Sequence, residues 1–600
     1  MESSQEDPGV DRGKGRAAAV RRAISSEALR DALLFAATVN LLSIPLAGGI
    51  SFSLVVFSLT SPSLGWSLGI FVAAVALRFG PEHTTAERRA DAAGWIGAHR
   101  FSLALGLLTL VGLLLRLKGI GFGMPLLVHE DEAAVVGVAI RQFQSGWIDP
   151  VWYVYPTFFI NLMMPALAIY YVYARGHGLV GDIEQIPLTT PGFYLVSRYH
   201  SAVLGTVTIP LTYWLAEKLL GTDRGRRAGL IAAAVVTFSF IHVRESHFGV
   251  TDVPTAAVAT AALIAIANVF HSGTTRQYLA AGFLCGLAAS TKYTVAAIVL
   301  SFLAAHFLGR KPSDWAARPF GAGLAAIPAG FLFGSPYALL NWKPFLQDLG
   351  WLSAFAGTPD PVNAQANFAG IAGYAAESGF GLPVFVCFVL AALLAMYRRR
   401  RGELVLLAFV LGSIPYMSQS THPFYPRFLV PLVPPIAVLV GGFVVDAIDW
   451  LRARQVMSRR AATAAFLAAI VMLPWPAARE SVIWVRIMSR PDSRVSAYSW
   501  IRERFPEGAV IASEVWFNGM APEYAVLDWP APLSGISIDE LVSANVDVVA
   551  FRTSFDQRVR GGPDENARRA LKIALGTPTR FGGPEQGIPG PPMEVYVVSR

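Results

Sequence analysis

Apolar positions along this chain gather into long runs separated by short polar stretches. They neither alternate nor keep to one helical face. Candidate spans cover about 32–57, 63–79, 101–118, 196–219, 228–246, 253–270, 278–290, 294–308, 320–339, 381–397, 403–418, 428–447 and 461–476. Runs of about 16–25 residues match the ~30 Å hydrocarbon core of a bilayer. The pattern predicts an all-α polytopic membrane protein of about 13 transmembrane helices, with two short members around Lys292.

After residue 476 the pattern changes. Val495–Phe505 has the spacing of an amphipathic helix, Ala509–Ser513 of a short strand, and Ile538–Ala544 of a second helix. Val546–Phe551 and Met593–Val598 are apolar enough for buried strands. Residues 477–600 therefore predict a small C-terminal α/β domain, and no catalytic motif stands in it.

Composition sharpens this picture. The 600 residues are 54% hydrophobic and 15% charged, which excludes an ordinary soluble protein, where about 25% is charged. The net charge of +8 does not point to nucleic acid, because the basic residues sit in short clusters between apolar runs, as the positive-inside rule requires. Cys285 and Cys387 each lie in an apolar run, which argues against a disulfide framework or a thiolate metal site. No cleavable signal peptide is expected.

The clusters also orient the chain. With a basic tail at 1–31 in the cytoplasm, Arg88/Arg89, Arg224/Arg226/Arg227, Arg276, Arg310/Lys311, Arg398–Arg401 and Arg452–Arg460 all fall inside. The expectation is a multi-pass cell-membrane protein with a cytoplasmic N-terminus, a transmembrane region at 32–476 and an extracytoplasmic region at 477–600. Loops at 119–195 and 340–380 then lie outside. Within the first, Tyr155–Tyr173 is apolar with aromatic ends. Counting it as a span would invert every later cluster, so it reads as an interfacial helix.

Candidate chemistry collects on the outer face. His129-Glu130-Asp131-Glu132 crowds three carboxylates, which is unfavourable unless a cation or a proton-donating partner relieves them. The bland alternative is acid at the N-terminus of a helix over Ala133–Phe143. Asp252 stands at the junction of two apolar runs, either as a functional carboxylate or as a helix N-cap with Pro254 in the first turn. Lys292 is either a snorkelling anchor or a point charge for a phosphate. Arg427, in His422-Pro-Phe-Tyr-Pro-Arg427, has the fork to bind a phosphate, with Phe424 and Tyr425 as interfacial aromatics. Carboxylates beside cations equip a site for acid–base work on a hydroxyl and for stabilising a departing phosphate. Apolar surroundings imply that the phosphate carries a lipid.

The order of these motifs carries a resemblance. Asp131-Glu132-Ala133 follows a first core helix, then come Tyr155-Pro156-Thr157 and Arg198 entering a span. Next stand Arg244…Asp252-x-Pro254, Gly282-x3-Gly286 running to Ser290-Thr291-Lys292, and Arg427-Phe-x-x-Pro431. Over about 101–476 the chain resembles the GT-C superfamily of polyprenyl-phosphate-sugar-dependent glycosyltransferases, the family 39-like branch of protein O-mannosyltransferases and lipid A aminoarabinose transferases. The resemblance implies transfer of a hexosyl or pentosyl group from a polyprenyl-phosphate donor to a hydroxyl acceptor on the extracytoplasmic face, by an inverting displacement. Asp131 would be the base, supported by Glu132, with Asp252 a second acidic residue. Lys292, Arg427 and Arg244 would hold the donor phosphate.

The resemblance requires no cofactor. His129, Glu130 and His247 are candidates for acceptor contacts, and His129 with Glu130 and Asp131 for a divalent ion. Tyr155-Pro156-Thr157 departs from the Lys-Pro-Pro of the aminoarabinose branch. The added His129-Glu130 leaves open which carboxylate is the base. No Trp-Trp-Asp-Tyr-Gly motif is present, which disfavours an oligosaccharyltransferase. The competing class is a transporter or flippase of lipid-linked sugar intermediates, for which an internal repeat is expected and none is visible.

Overall fold

The structure, a computed structural model, describes residues 52–54, 57–59, 85–126, 129–315, 317–357, 368–419, 425–514, 524–528, 533, 536–553, 556 and 563–598. It divides into two units, Met1–Leu114 and Leu115–Arg600. In the first, β1 (Phe52–Leu54) and β2 (Phe57–Leu59) pair antiparallel, with Phe52 opposite Leu59. This corrects the expected span over 32–57 at its described end. Ser51-Phe-Ser-Leu and Phe-Ser-Leu alternate with the period of a strand. The rest of that span, and the whole of the span expected at 63–79, lie outside the described residues. Helix α1 covers Thr85–Leu117.

The second unit continues with α2 (Glu130–Ser145), α3 (Phe158–Gly176), α4 (Pro191–Leu220), α5 (Thr222–Phe238), α6 (Phe240–Glu245) and α7 (Asp252–His271). Then come α8 (Thr275–Ala289), a 3-10 turn at Tyr293–Ile298, α9 (Val299–Gly309), α10 (Arg318–Gly334) and α11 (Trp342–Gly357). Helices α12 (Leu382–Tyr397), α13 (Arg401–Gln419), α14 (Val433–Ala453), α15 (Arg459–Met472) and α16 (Trp475–Met488) complete the helical part. Among the described residues five stretches are long and apolar enough to cross a membrane: His99–Leu117, Phe158–Gly176, Asp252–His271, Pro426–Ala453 and Arg459–Arg504. Phe158–Gly176 covers most of the segment expected to lie in the interface, and by length and composition it qualifies as a span.

Helix α7 is apolar around its circumference, and its buried residues lie on every side, as a helix surrounded by others requires. Helices α8 and α10 meet backbone to backbone. A Cβ on Gly282, Gly286 or Gly330 would strike the carbonyl oxygen of Gly323, Ile327 or Phe283, respectively. Small residues that let backbones approach are a common way to hold helices together where lipid supplies no hydrophobic drive.

The two ends of the helices differ in charge chemistry. At one end Arg224 bonds Asp446 (2.8 and 2.9 Å) and Glu403 (2.8 Å), Arg400 reaches Asp446, and Arg227 pairs with Asp449 at 2.5 Å. Asp252 and Arg427 lie toward the opposite ends of α7 and of the Pro426–Ala453 stretch. The expected cytoplasmic clusters and the candidate site are thus separated along the same helices.

Helix α17 (Ser493–Arg504) leads into a five-stranded sheet of order β4-β3-β5-β7-β6. Strands β3 (Val510–Ser513), β4 (Ala525–Asp528) and β5 (Val548–Arg552) run parallel, and β6 (Thr579–Phe581) and β7 (Met593–Val597) are antiparallel additions. The expected helices and strands are present. Strands β4 and β6 and helix Pro563–Leu575 add to them.

Burial pushes the carboxyls of Asp556 and Glu594 up, but hydrogen bonds from Arg568 and Lys572 to the first, and from Lys572 and Arg580 to the second, outweigh it. Both stay below the usual carboxylate range. A lowered folded-state pKa contributes stability that is present above the unfolded value, near 4, and lost as pH falls through the folded one. Near-ultraviolet circular dichroism melts of the full chain should therefore lose stability progressively below about pH 4. Lys572→Met should flatten that dependence, and an unchanged profile in the variant would contradict the assignment.

Candidate functional site

Helix α2 begins at the acidic tetrad and sends its two neighbouring carboxylates to different partners. Successive helical residues are about 100° apart, so Asp131 and Glu132 cannot share a face. Asp131 forms an ion pair with Arg427 and lines a cavity of about 580 Å³. Glu132 turns inward and is fully buried. Its Oε1 and Oε2 accept from Arg198 Nε and Nη2, both at 2.8 Å, and Oε1 also accepts from the backbone N–H of Gly249 at 2.6 Å. Arg198 spends its remaining Nη1 donors on the carbonyls of Ile120 (2.9 Å) and Phe122 (2.8 Å), with its guanidinium 4.5 Å from the Phe122 ring.

A second pair meets the cavity through Lys292. Lys292 has an extended backbone between α8 and the turn that follows, which frees its side chain to reach across. Its Nζ donates to Asp252 Oδ1 at 2.5 Å and lies 5.0 Å from the Phe428 ring. Asp252 is the first residue of α7 and not its N-cap. Thr251 holds that position and makes no side-chain capping bond. The carboxylate still gains from the positive end of the helix dipole, while facing Lys292.

The cavity is lined by His129, Asp131, Tyr155, Lys292, Tyr425 and Arg427 on its polar side, and by Trp152, Tyr293, Trp351 and Phe355 among its aromatics. The Tyr155 hydroxyl donates to Asp131; burial pushes it up, and the negative charges of Asp131 and Asp252 add to the shift against the opposing charge of Arg427. Tyr155 therefore stays protonated. Arg427 lies 4.8 Å from the Tyr425 ring, and its buried Nε has no hydrogen-bond acceptor among the described residues.

Arg244 and His247 fall elsewhere. Arg244 pairs with the buried Glu245, its Nε at 2.8 Å and Nη2 at 2.5 Å, and does not line the cavity. His247 has each ring nitrogen on a backbone carbonyl, Nδ1 on Val243 (2.9 Å) and Nε2 on Lys118 (3.0 Å), and its ring packs on Trp484. His129 lines the cavity against Phe248, ring centroids 4.3 Å apart, with its buried Nδ1 lacking a partner among the described residues. The side chain of Glu130, and residues His422 and Phe424, lie outside the described residues. Among those described, no three His, Cys, Asp or Glu side chains converge to share a metal ion.

Sequence reasoning had not placed Tyr155 or the aromatic wall in the site. The tyrosine was visible only as a departure from Lys-Pro-Pro. Trp351 and Phe355, four residues apart on α11 with rings 5.2 Å apart and stacked, show the i, i+4 spacing that puts two side chains on one face.

The family model of dolichyl-phosphate-mannose-protein mannosyltransferases matches residues 153–309, a stretch containing Tyr155, Arg198, Asp252 and Lys292. Among solved structures, ArnT from Cupriavidus metallidurans in the apo state aligns with a TM-score of 0.50 at 14% identity, over 85% of this chain and 98% of that one. The chain has the fold of a GT-C glycosyltransferase. The same ArnT bound to undecaprenyl phosphate aligns at TM-score 0.48 and 14% identity, over 84% of this chain and 99% of that one. The apo oligosaccharyltransferase of Archaeoglobus fulgidus aligns at 0.49 and 12%, over 82% and 76%. No curated protein matches the chain. The GT-C resemblance read from the motifs is thus met independently by the family match and by the fold, and the apolar helices make the chain a multi-pass membrane protein.

Proposed function

We propose that this protein is an integral membrane glycosyltransferase that moves a sugar from a polyprenyl-phosphate donor to a hydroxyl acceptor, on the extracytoplasmic face, with inversion at the anomeric carbon. The observation carrying the proposal is that Asp131, Lys292 and Arg427 line one aromatic-walled cavity while both cations are held by carboxylates, Asp131 and Asp252. A donor phosphate entering the cavity takes Arg427 from Asp131, which frees that carboxylate as the acceptor's base. The acceptor oxygen forms the new bond to the anomeric carbon as its proton passes to Asp131. The bond from that carbon to the phosphate oxygen breaks, and the phosphate leaves with its charge balanced by Lys292 and Arg427. Asp252 keeps Lys292 aimed, and Glu132 holds α2 through Arg198. The match to a family named for dolichyl-phosphate-mannose supports a lipid-phosphate sugar as donor.

The test is transfer by the purified full chain in nanodiscs, given dolichyl-phosphate-mannose and hydroxyl-bearing peptide or glycan acceptors, with the product's anomeric configuration read by NMR. Lys292→Ala should raise the donor KM about tenfold or more, the scale of one charge-assisted hydrogen bond. A retained configuration would overturn the single displacement. Absence of transfer from any polyprenyl-phosphate sugar, with lipid translocation in vesicles, would favour the transport reading.

A further inference from the structure

One side chain shortly before Asp131 in the chain belongs to a core built otherwise from the far end of the chain. Leu126 is fully buried in the cluster formed by Ala497, Tyr498 and Ile501 of α17, Ile511 of β3, Val548 and Ala550 of β5, and Met593 and Val595 of β7. Apart from Leu126, every residue of that cluster lies beyond position 494. The loop is otherwise closed on itself by Arg198, whose guanidinium holds Ile120 and Phe122 on one side and Glu132 on the other. Its start is further fixed by His247 on the Lys118 carbonyl and by Gly119, with φ +84°, where a Cβ would sit 3.1–3.2 Å from the backbone of Met488 and Ser489. Along the chain Leu126 stands five residues before Asp131, which lies in the first turn of α2. Five residues reach at most about 17 Å, so the seat of Leu126 restricts where Asp131 can be.

We propose that Leu126 is a positioning residue through which the C-terminal sheet sets the approach of Asp131 to the cavity. Its anchorage is apolar and buried, in a region tightly packed enough to transmit displacement. Loosening the seat disturbs Asp131 but leaves Lys292 on Asp252. Once the donor phosphate has taken Arg427 from Asp131, the disturbance no longer reaches the cations that hold the donor. The signature is therefore a lowered kcat with an unchanged donor KM, a split that separates positioning from general loss of fold. The kinetic half rests on the transferase reading; the mechanical half does not.

The experiment compares wild type, Leu126→Ala, the milder Leu126→Val and the volume-conserving Leu126→Met in the full chain. Hydrogen–deuterium exchange and transfer from dolichyl-phosphate-mannose are measured on the same preparations. Leu126→Ala should raise exchange both in 129–132 and in β5, and lower kcat about tenfold at constant donor KM. Leu126→Val should fall between, and Leu126→Met should restore both. Should Leu126→Ala fail to fold, the Val and Met variants decide. Raised exchange confined to β5, or a kcat that ignores the exchange change, would overturn the proposal. If wild type transfers no sugar, the transferase reading fails, and the coupled exchange of 129–132 and β5 still decides whether Leu126 links them.

Discussion

Asp131→Asn is expected to lower kcat by about 10²- to 10⁴-fold, the range that a positioned general base contributes. Donor KM should move much less, because Lys292 remains paired to Asp252 and Arg427 keeps its place on the cavity wall. The amide keeps the size of the carboxylate and can still accept from Tyr155, but it cannot take the acceptor's proton. Steady-state transfer assays at saturating acceptor check the prediction, with Tyr155→Phe as the companion variant. Removing only the hydroxyl that donates to Asp131 should cost far less than removing the base. Full turnover in Asp131→Asn would sink the assignment and shift attention to Glu130, the remaining carboxylate of the tetrad not committed to Arg198.

The second large effect is on folding. Arg198 and Glu132 are both fully buried and bonded bidentately, and removing one partner leaves an uncompensated charge in the interior. Such losses run to about 3–5 kcal/mol. Glu132→Gln and Arg198→Ala should each lower the melting temperature sharply and reduce the yield of monodisperse protein. The Arg198→Ala change is the more damaging, because it also releases the carbonyls of Ile120 and Phe122. The double variant Glu132→Gln/Arg198→Met should recover part of the loss, since it buries no charge. A single variant as stable as wild type would show that the pair does not hold the loop.

Much of the helical order, and His129, Asp131, Lys292 and Arg427 of the cavity wall, were legible in the chain. Asp131, Lys292 and Arg427 each sit at a polar break between apolar runs, where a charged side chain must be explained. What was not legible depends on pairing across distance. Glu132 reads from the sequence as a support for its neighbour Asp131, and nothing local says that its partner is Arg198, 66 residues on. Asp252 had the spacing of an N-cap, yet the cap is Thr251, and the carboxylate answers to Lys292 across 40 positions. Tyr155 entered the site only once α2 and the residues before α3 were brought together. The alternation at β1 and β2 was a local signal, and hydropathy summed over a longer window concealed it. Leu126 carried no signal at all, since one leucine beside an apolar span has many places to go.

The close contact between α8 and α10 also bears on how any lipid-linked reactant is accommodated. Where a single added methyl would strike a carbonyl, there is no furrow for an isoprenoid chain. The pair is a sealed seam, presenting Lys292 from just past the end of α8 and offering hydrocarbon no lateral doorway. Helix α11 is different: its Trp351 and Phe355 line the cavity while remaining 55% and 41% exposed. Hydrocarbon thus finds the seam between α8 and α10 shut, and meets the cavity itself on a greasy, open side.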